Sequence, residues 1–175
     1  MNLAVSFAIK GKKVMVIDLD LRKASLSTFV KSPAKGFADY LSGHVEKLSQ
    51  IVVSGTIHPN LDVLPVGTIP PNPTELLFSE RLEQTVAELK KQYDYLFIDC
   101  PPLEIVADAS IVNKLADMTV YVIRAELFDK RLLPDVEKYY QEKRYKNINI
   151  ILNGTITESG GYGGYHRYGY SYGYR

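Results

Sequence analysis

The sequence predicts an α/β protein with a doubly wound, mostly parallel sheet, and three observations carry the prediction. Short apolar runs alternate with longer stretches of helical period along most of the chain. The short runs are continuous blocks of Val, Ile, Leu, Phe and Tyr, as expected of strands covered on both faces. Several of them stop at a polar residue, the position that lines the ligand crevice at the carboxyl edge of a parallel sheet.

In chain order, a helix is expected over 2–9 and a buried strand over 14–17. A short turn of helix over 37–41 precedes Gly43, a residue suited to ending it. A second strand covers 61–64. The strongest helical pattern runs over 73–92, where Asn72 is placed to cap and Pro73 sits in the first turn. Leu76, Leu77, Leu82, Val86 and Leu89 recur on its inner face; Glu80, Arg81, Glu83, Lys90 and Lys91 mark the outer one. Strands over 95–98, 119–123 and 149–152 and helices over 107–116 and 134–143 follow, with no internal repeat.

A chain of 175 residues with 46% hydrophobic content suits one domain with a real core. With 21 basic against 20 acidic residues the net charge is +1, so bulk electrostatics call for neither nucleic acid nor an anionic membrane. A single cysteine, Cys100, excludes an internal disulfide, and His44, His58 and His166 lie too far apart in sequence to suggest a metal cluster. A reducing, cytoplasmic setting is expected. No apolar run approaches the roughly 20 residues of a membrane helix, and the start lacks the features of a signal peptide. Membrane association is therefore expected through a partner or a missing segment. Lys143, Arg144 and Lys146 beside Glu137 and Glu142 read as a solvated face, and the Asn153-Gly154-Thr155 sequon as chance.

Composition divides the chain at about residue 156, into a core over 1–156 and a tail over 157–175. From Thr157 onward there is no aliphatic residue, and glycine is interspersed with Tyr162, Tyr165, Tyr168, Tyr170, Tyr172 and Tyr174. Such a segment offers no apolar face to offset its ordering entropy, so a disordered tail is predicted. It reads either as a low-complexity linker that self-associates weakly or as a cluster of phosphoacceptors, each phenol delivered in turn on a glycine-spaced tether.

Two strand ends carry acids. The strand over 14–17 runs into Asp18-Leu19-Asp20-Leu21-Arg22, and the strand over 95–98 into Asp99-Cys100-Pro101-Pro102. Hard carboxylate oxygens at the crevice suit Mg²⁺, and Arg22 suits a phosphate or the carboxylates themselves. A strand ending in Asp is common, so Asp99 alone reads equally as structural. Together with Asp108 opening a helix, however, the acids form a constellation able to converge on one metal-nucleotide site. Cys100 has no histidine nearby in sequence and reads as a small buried residue, not a nucleophile.

On these residues the chain resembles the bacterial tyrosine kinases, relatives of the deviant P-loop ATPases. Gly11 to Lys23 is similar to that family's Walker A-prime motif, Tyr93 to Pro102 to its Walker B, and Gly67 to Leu77 to its proline-rich entry into a helix. Val122-Ile123-Arg124 and Leu152-Asn153-Gly154 resemble two later strand ends, and the tyrosine tail completes the match. The resemblance implies a P-loop NTPase-like fold, ATP and Mg²⁺ as cofactors, and phosphorylation of tail tyrosines between subunits in control of capsular or exopolysaccharide synthesis and export. It implies as partners a membrane-spanning polysaccharide co-polymerase or activator domain, a tyrosine phosphatase and other kinase subunits in a ring, with the core at the inner face of the cell membrane. Asp18 would orient or deprotonate the attacking tyrosine, and Asp20 and Asp99 would hold Mg²⁺. Arg22 and Arg124 would lie near the phosphates or form internal salt bridges, and Asn153 would meet the adenine edge or form a turn.

One departure stands out: no Gly-Lys-Ser or Gly-Lys-Thr of a Walker A loop occurs in the sequence. That loop supplies backbone N–H groups and a lysine for the phosphates at a helix N-terminus. The expectation is an N-terminally truncated core, either a fragment, an abnormal start or a pseudo-kinase, with an open sheet edge beside the strand over 95–98. A positioning or partitioning ATPase and a catalytically inactive phosphoacceptor protein are the alternative functions.

Overall fold

Val14 and Val16 point into one layer of the core, and Met15 and Ile17 into the other, so a single five-residue strand is buried on both faces. This strand organises the computed structural model, which describes residues 1–21, 23, 24, 26, 29, 30, 33–100 and 113–155. In chain order its elements are helix α1 (Asn2–Ile9), strand β1 (Val14–Asp18), helix α2 (Phe37–Leu41), strands β2 (Val53–His58) and β3 (Leu61–Leu64), helices α3 (Pro73–Leu77) and α4 (Glu80–Gln92), strands β4 (Tyr95–Asp99) and β5 (Thr119–Arg124), helix α5 (Leu133–Gln141) and strand β6 (Ile148–Asn153). The result is a mixed α/β fold with a mostly parallel sheet, as predicted.

Four strands lie in the order β2-β3-β1-β4, and β5 and β6 pair as a separate two-stranded sheet. β1 runs parallel to β3 and to β4, with Val14 opposite Leu61 on one side and Tyr95 on the other. α1 closes one face through Ala4 and Ala8, whose small side chains let the helix approach Val14, Val16, Leu61 and Val63. The other face carries the larger core: Met15, Ile17 and Leu64 pack against Phe37 and Leu41 of α2, Leu76 and Leu77 of α3, and Leu82, Val86 and Leu89 of α4. Phe7 of α1 reaches β4, its ring centroid 4.4 Å from that of Tyr95.

Three corrections to the sequence reading have physical causes. The helix expected over 73–92 is two helices, broken where Ser79 turns extended and its Oγ accepts a bond from the Leu82 N–H at 3.3 Å, serving as N-cap of α4. Asn72 occupies the N-cap position of α3 without capping; its amide donates to the Glu75 carboxylate instead. β2 was not expected at all. It is an antiparallel edge strand, largely exposed and irregular around Gly55, whose φ is +66°, so it lacks the apolar block that marks the other strands. Of the helix expected over 107–116, residues 113–115 are helical and 107–112 lie outside the described residues, as do the tail, Arg22, Asp108 and Pro101-Pro102. Among the described residues no helix is long and apolar enough to cross a membrane.

Candidate functional site

The carboxyl edge of the four-stranded sheet gathers the acids. β1 and β4 are parallel and in register to their last residues, so Asp18 stands opposite Asp99. The two chains remain joined one step further, where the Leu19 N–H donates to the Asp99 carbonyl at 2.9 Å. Asp18 is fully buried: its Oδ1 accepts from the Asp20 N–H and its Oδ2 from the Leu26 N–H, each at 3.1 Å. Asp20, also buried, accepts from the Lys23 N–H through Oδ1 at 3.1 Å and from the Ala24 N–H through its carbonyl at 2.9 Å. These bonds wind the chain after β1 into a tight loop that presents the acids together.

Crowding of like charge shows in their proton affinities. Burial raises the Asp18 carboxyl to about 6, the Asp20 N–H bond opposes this, and the charge of Asp99 adds to the rise. Asp99 is raised as well, first by its protein surroundings and also by Asp20, with the Met1 ammonium pulling the other way. Carboxylates gathered at the edge of the sheet fit a divalent cation. Among the described residues no three His, Cys, Asp or Glu side chains close into a metal cage. Mg²⁺ does not demand one, since it keeps several waters and takes one or two carboxylates.

Cys100 follows Asp99, and burial together with Asp99, Asp20 and Asp18 pushes its thiol up to about 12. A thiol so disfavoured as thiolate is no nucleophile, in line with the sequence reading. Arg124 and Asn153 are register partners at the ends of β5 and β6, and the Ala125 N–H donates to the Asn153 carbonyl at 2.8 Å. Both side chains are exposed. Gly154, with φ +70°, follows immediately. The acids therefore form one group on the larger sheet, and Arg124 with Asn153 another on the smaller.

Sequence reasoning missed a clamp at the same edge. Gly36 and Gly67 lie back to back, so closely that a Cβ on Gly67 would fall 2.0 Å from the Gly36 nitrogen. The buried Asp39 carboxylate bridges them, accepting from the Gly36 N–H at 2.8 Å and the Thr68 N–H at 3.0 Å. The Phe37 and Ala38 N–H groups donate to the Pro65 and Val66 carbonyls. The loops that leave β1 and β3 are thus locked together. Gly36 with Asp39 three residues on, where a helix begins, was the available signal.

An AAA domain family model matches residues 1–152, the region that carries the sheet and its acids. The chain is 34% identical over 170 residues to the tyrosine-protein kinase CpsD of Streptococcus agalactiae, covering 96% of this chain and 73% of that protein. Its structure resembles the kinase domain of the Escherichia coli tyrosine kinase ETK, with a TM-score of 0.79 and 29% identity over 94% of this chain and 64% of that one. It also resembles the septum site-determining protein MinD of Pyrococcus horikoshii complexed with Mg-ADP, with a TM-score of 0.67 and 27% identity over 86% and 61%. The fold class is that of the P-loop NTPases. Within it, the chain belongs to the bacterial tyrosine-protein kinase family.

Proposed function

We propose that residues 1–156 are the nucleotide-hydrolase core of a protein-tyrosine kinase and that 157–175 are its phosphoacceptor tail. The reaction moves the γ-phosphate of MgATP to tail tyrosines between subunits, in control of capsular or exopolysaccharide synthesis and export. The observation that carries this reading is the in-register pair Asp18 and Asp99 at the carboxyl edge of the sheet, in a chain that carries six clustered tyrosines in its tail.

Asp20 and Asp99 hold Mg²⁺, consistent with the Mg-ADP of the MinD relative. Held there, the ion would supply positive charge to offset the negative charge that develops on the phosphate oxygens. Asp18, with its affinity raised toward neutrality, accepts the phenol proton as the tyrosine oxygen attacks; its Oδ2 must first release the Leu26 N–H. Arg22 and Arg124 steady the phosphates, and Asn153 meets the adenine edge. The core works at the inner face of the cell membrane, with a membrane-spanning co-polymerase or activator domain, a tyrosine phosphatase and further kinase subunits as partners.

A second reading is favoured by one observation, the absence of Gly-Lys-Ser or Gly-Lys-Thr from the sequence. On this reading the chain is a substrate-bearing partner, offering its tail to a kinase core that carries a Walker A loop. A positioning ATPase, by contrast, has no use for six clustered tyrosines.

Intact mass and tail-peptide mapping after incubation with MgATP test both readings, on the chain alone and mixed with a family kinase core bearing the Walker A loop. Phosphate on Tyr162 to Tyr174 only in the mixture supports the substrate-bearing partner. Phosphate in the chain alone supports the autonomous kinase. No phosphate in either overturns both.

A further inference from the structure

The smaller sheet leaves an open apolar groove that the chemistry of the acid site does not use. It lies between α5 and β6, has a volume of about 600 Å³, and is walled by Leu133, Pro134 and Tyr140 of the helix and Ile148 and Ile150 of the strand. That volume falls within the range of small-molecule and side-chain binding pockets. Leu133, Tyr140 and Ile150 are exposed there, while Val136 is buried. One charged residue lines the groove, Glu137, whose Oε1 accepts from the Gln141 amide at 2.6 Å.

We propose that this groove docks tyrosines of the chain's own tail in their unphosphorylated form. A phenol suits it: the ring fills an apolar slot and the hydroxyl finds water or a carboxylate at the rim. Charge agrees, because the tyrosine-bearing stretch over 162–175 carries Arg167 and Arg175 and no acid, the tail's one acid Glu158 preceding it, and the groove carries Glu137. Length agrees as well. Returning from Asn153 to the level of Ile148 takes five residues of strand, about 17 Å. Tyr162 lies nine residues beyond Asn153, a reach of about 30 Å when extended, and the left-handed Gly154 starts the chain on a turn. A phosphate on the ring brings a charge of about −1.5 to −2 toward Glu137 and apolar walls that cannot solvate it, so phosphorylation expels the tail. The groove thus holds back acceptors that have not reacted and frees those that have. Docking itself does not depend on whether this chain transfers phosphate.

Ile methyl NMR on the full chain provides the test. Replacing the six tail tyrosines by serine leaves the core sequence untouched and should shift the Ile148 and Ile150 methyl resonances through loss of ring currents, with Ile17 in the larger sheet unmoved. The wild-type positions should survive tenfold dilution. No change at Ile148 and Ile150 overturns the proposal, and a shift that disappears on dilution overturns it in favour of a second copy's tail. Phosphorylating the tail with an added tyrosine kinase should move both resonances to the positions of the serine variant; their staying in place overturns selectivity for the free phenol. As an independent readout, Ile150→Asp should speed tryptic cleavage at Arg167 several-fold, and an unchanged rate counts against docking.

Discussion

Asp18 and Asp99 are register partners across β1 and β4, and the strands stay joined beyond them through the bond from the Leu19 N–H to the Asp99 carbonyl. Two carboxylates are thereby fixed at the ends of adjacent parallel strands, one sealed from solvent and the other open to it. Burial of Asp18, with the charge of Asp99 adding to it, has measurable consequences.

The first concerns pH. Asp18 has a folded affinity of about 6, above its ordinary 3.8, so the folded chain binds more protons than the unfolded one between those values. Its contribution is therefore full below pH 3.8 and is lost as pH rises through about 6, on the order of 2–3 kcal/mol for the whole shift. Urea unfolding across this window should show that loss in the wild type and a flatter profile in Asp18→Asn, which removes the titrating group. An identical slope in the two proteins would sink the assignment.

A cation at the acids should relieve the same repulsion. Mg²⁺ is expected to raise Tm more at pH 7.5 than at pH 5, because the Asp99 carboxyl holds its proton more tightly than an ordinary aspartate and protons compete with the ion as pH falls. At a hundredfold excess over Kd the stabilisation is about 2.7 kcal/mol. Asp99→Asn should abolish most of it. A Mg²⁺ effect that ignores both pH and the substitution would point away from these residues.

The Asp39 clamp predicts large costs from small changes. Asp39→Ala leaves the Gly36 and Thr68 N–H groups without their acceptor, a loss of about 2–4 kcal/mol. Gly67→Ala should cost more than about 3 kcal/mol, since the added carbon meets the Gly36 backbone and the φ of +78° is itself unfavourable for alanine. Burial raises the Asp39 affinity, but the bonds from Gly36 and Thr68 outweigh it and the carboxyl is held below its ordinary value. Its stabilisation is therefore present above pH 3.8 and lost as pH falls through the lower folded value. Chemical denaturation of Asp39→Asn should show a shallower acid limb.

Cys100 should be inert. With its thiol pushed up to about 12, alkylation at pH 8 should run far slower in the folded chain than in urea, where the ordinary thiol affinity returns. Equal rates would contradict the burial of this side chain among the acids.

Much of this was legible in the residues. Continuous apolar blocks located β1, β3, β4, β5 and β6 to within a residue at each end, but only β1 and β3 are buried as such blocks imply; β4 is partly exposed and β5 and β6 largely so. The acids fell at strand ends because the same blocks stop where the sheet meets the crevice. Ser79 was harder to read: its neighbours continue the helical period, and only its own bond to the Leu82 N–H breaks the helix there.

By itself, then, the sequence determined the α/β class, the order of most elements, the acids at two strand ends and the tyrosine-rich tail, all properties written in local composition and period. Tertiary structure alone decided that Asp18 and Asp99 stand opposite one another, that Asp39 ties together loops 29 residues apart, and that β5 and β6 form a separate sheet with a groove against α5. Register, back-to-back glycines and a groove between elements all depend on pairings across the chain. Such pairings are set by how buried surfaces fit, which no run of neighbouring residues encodes.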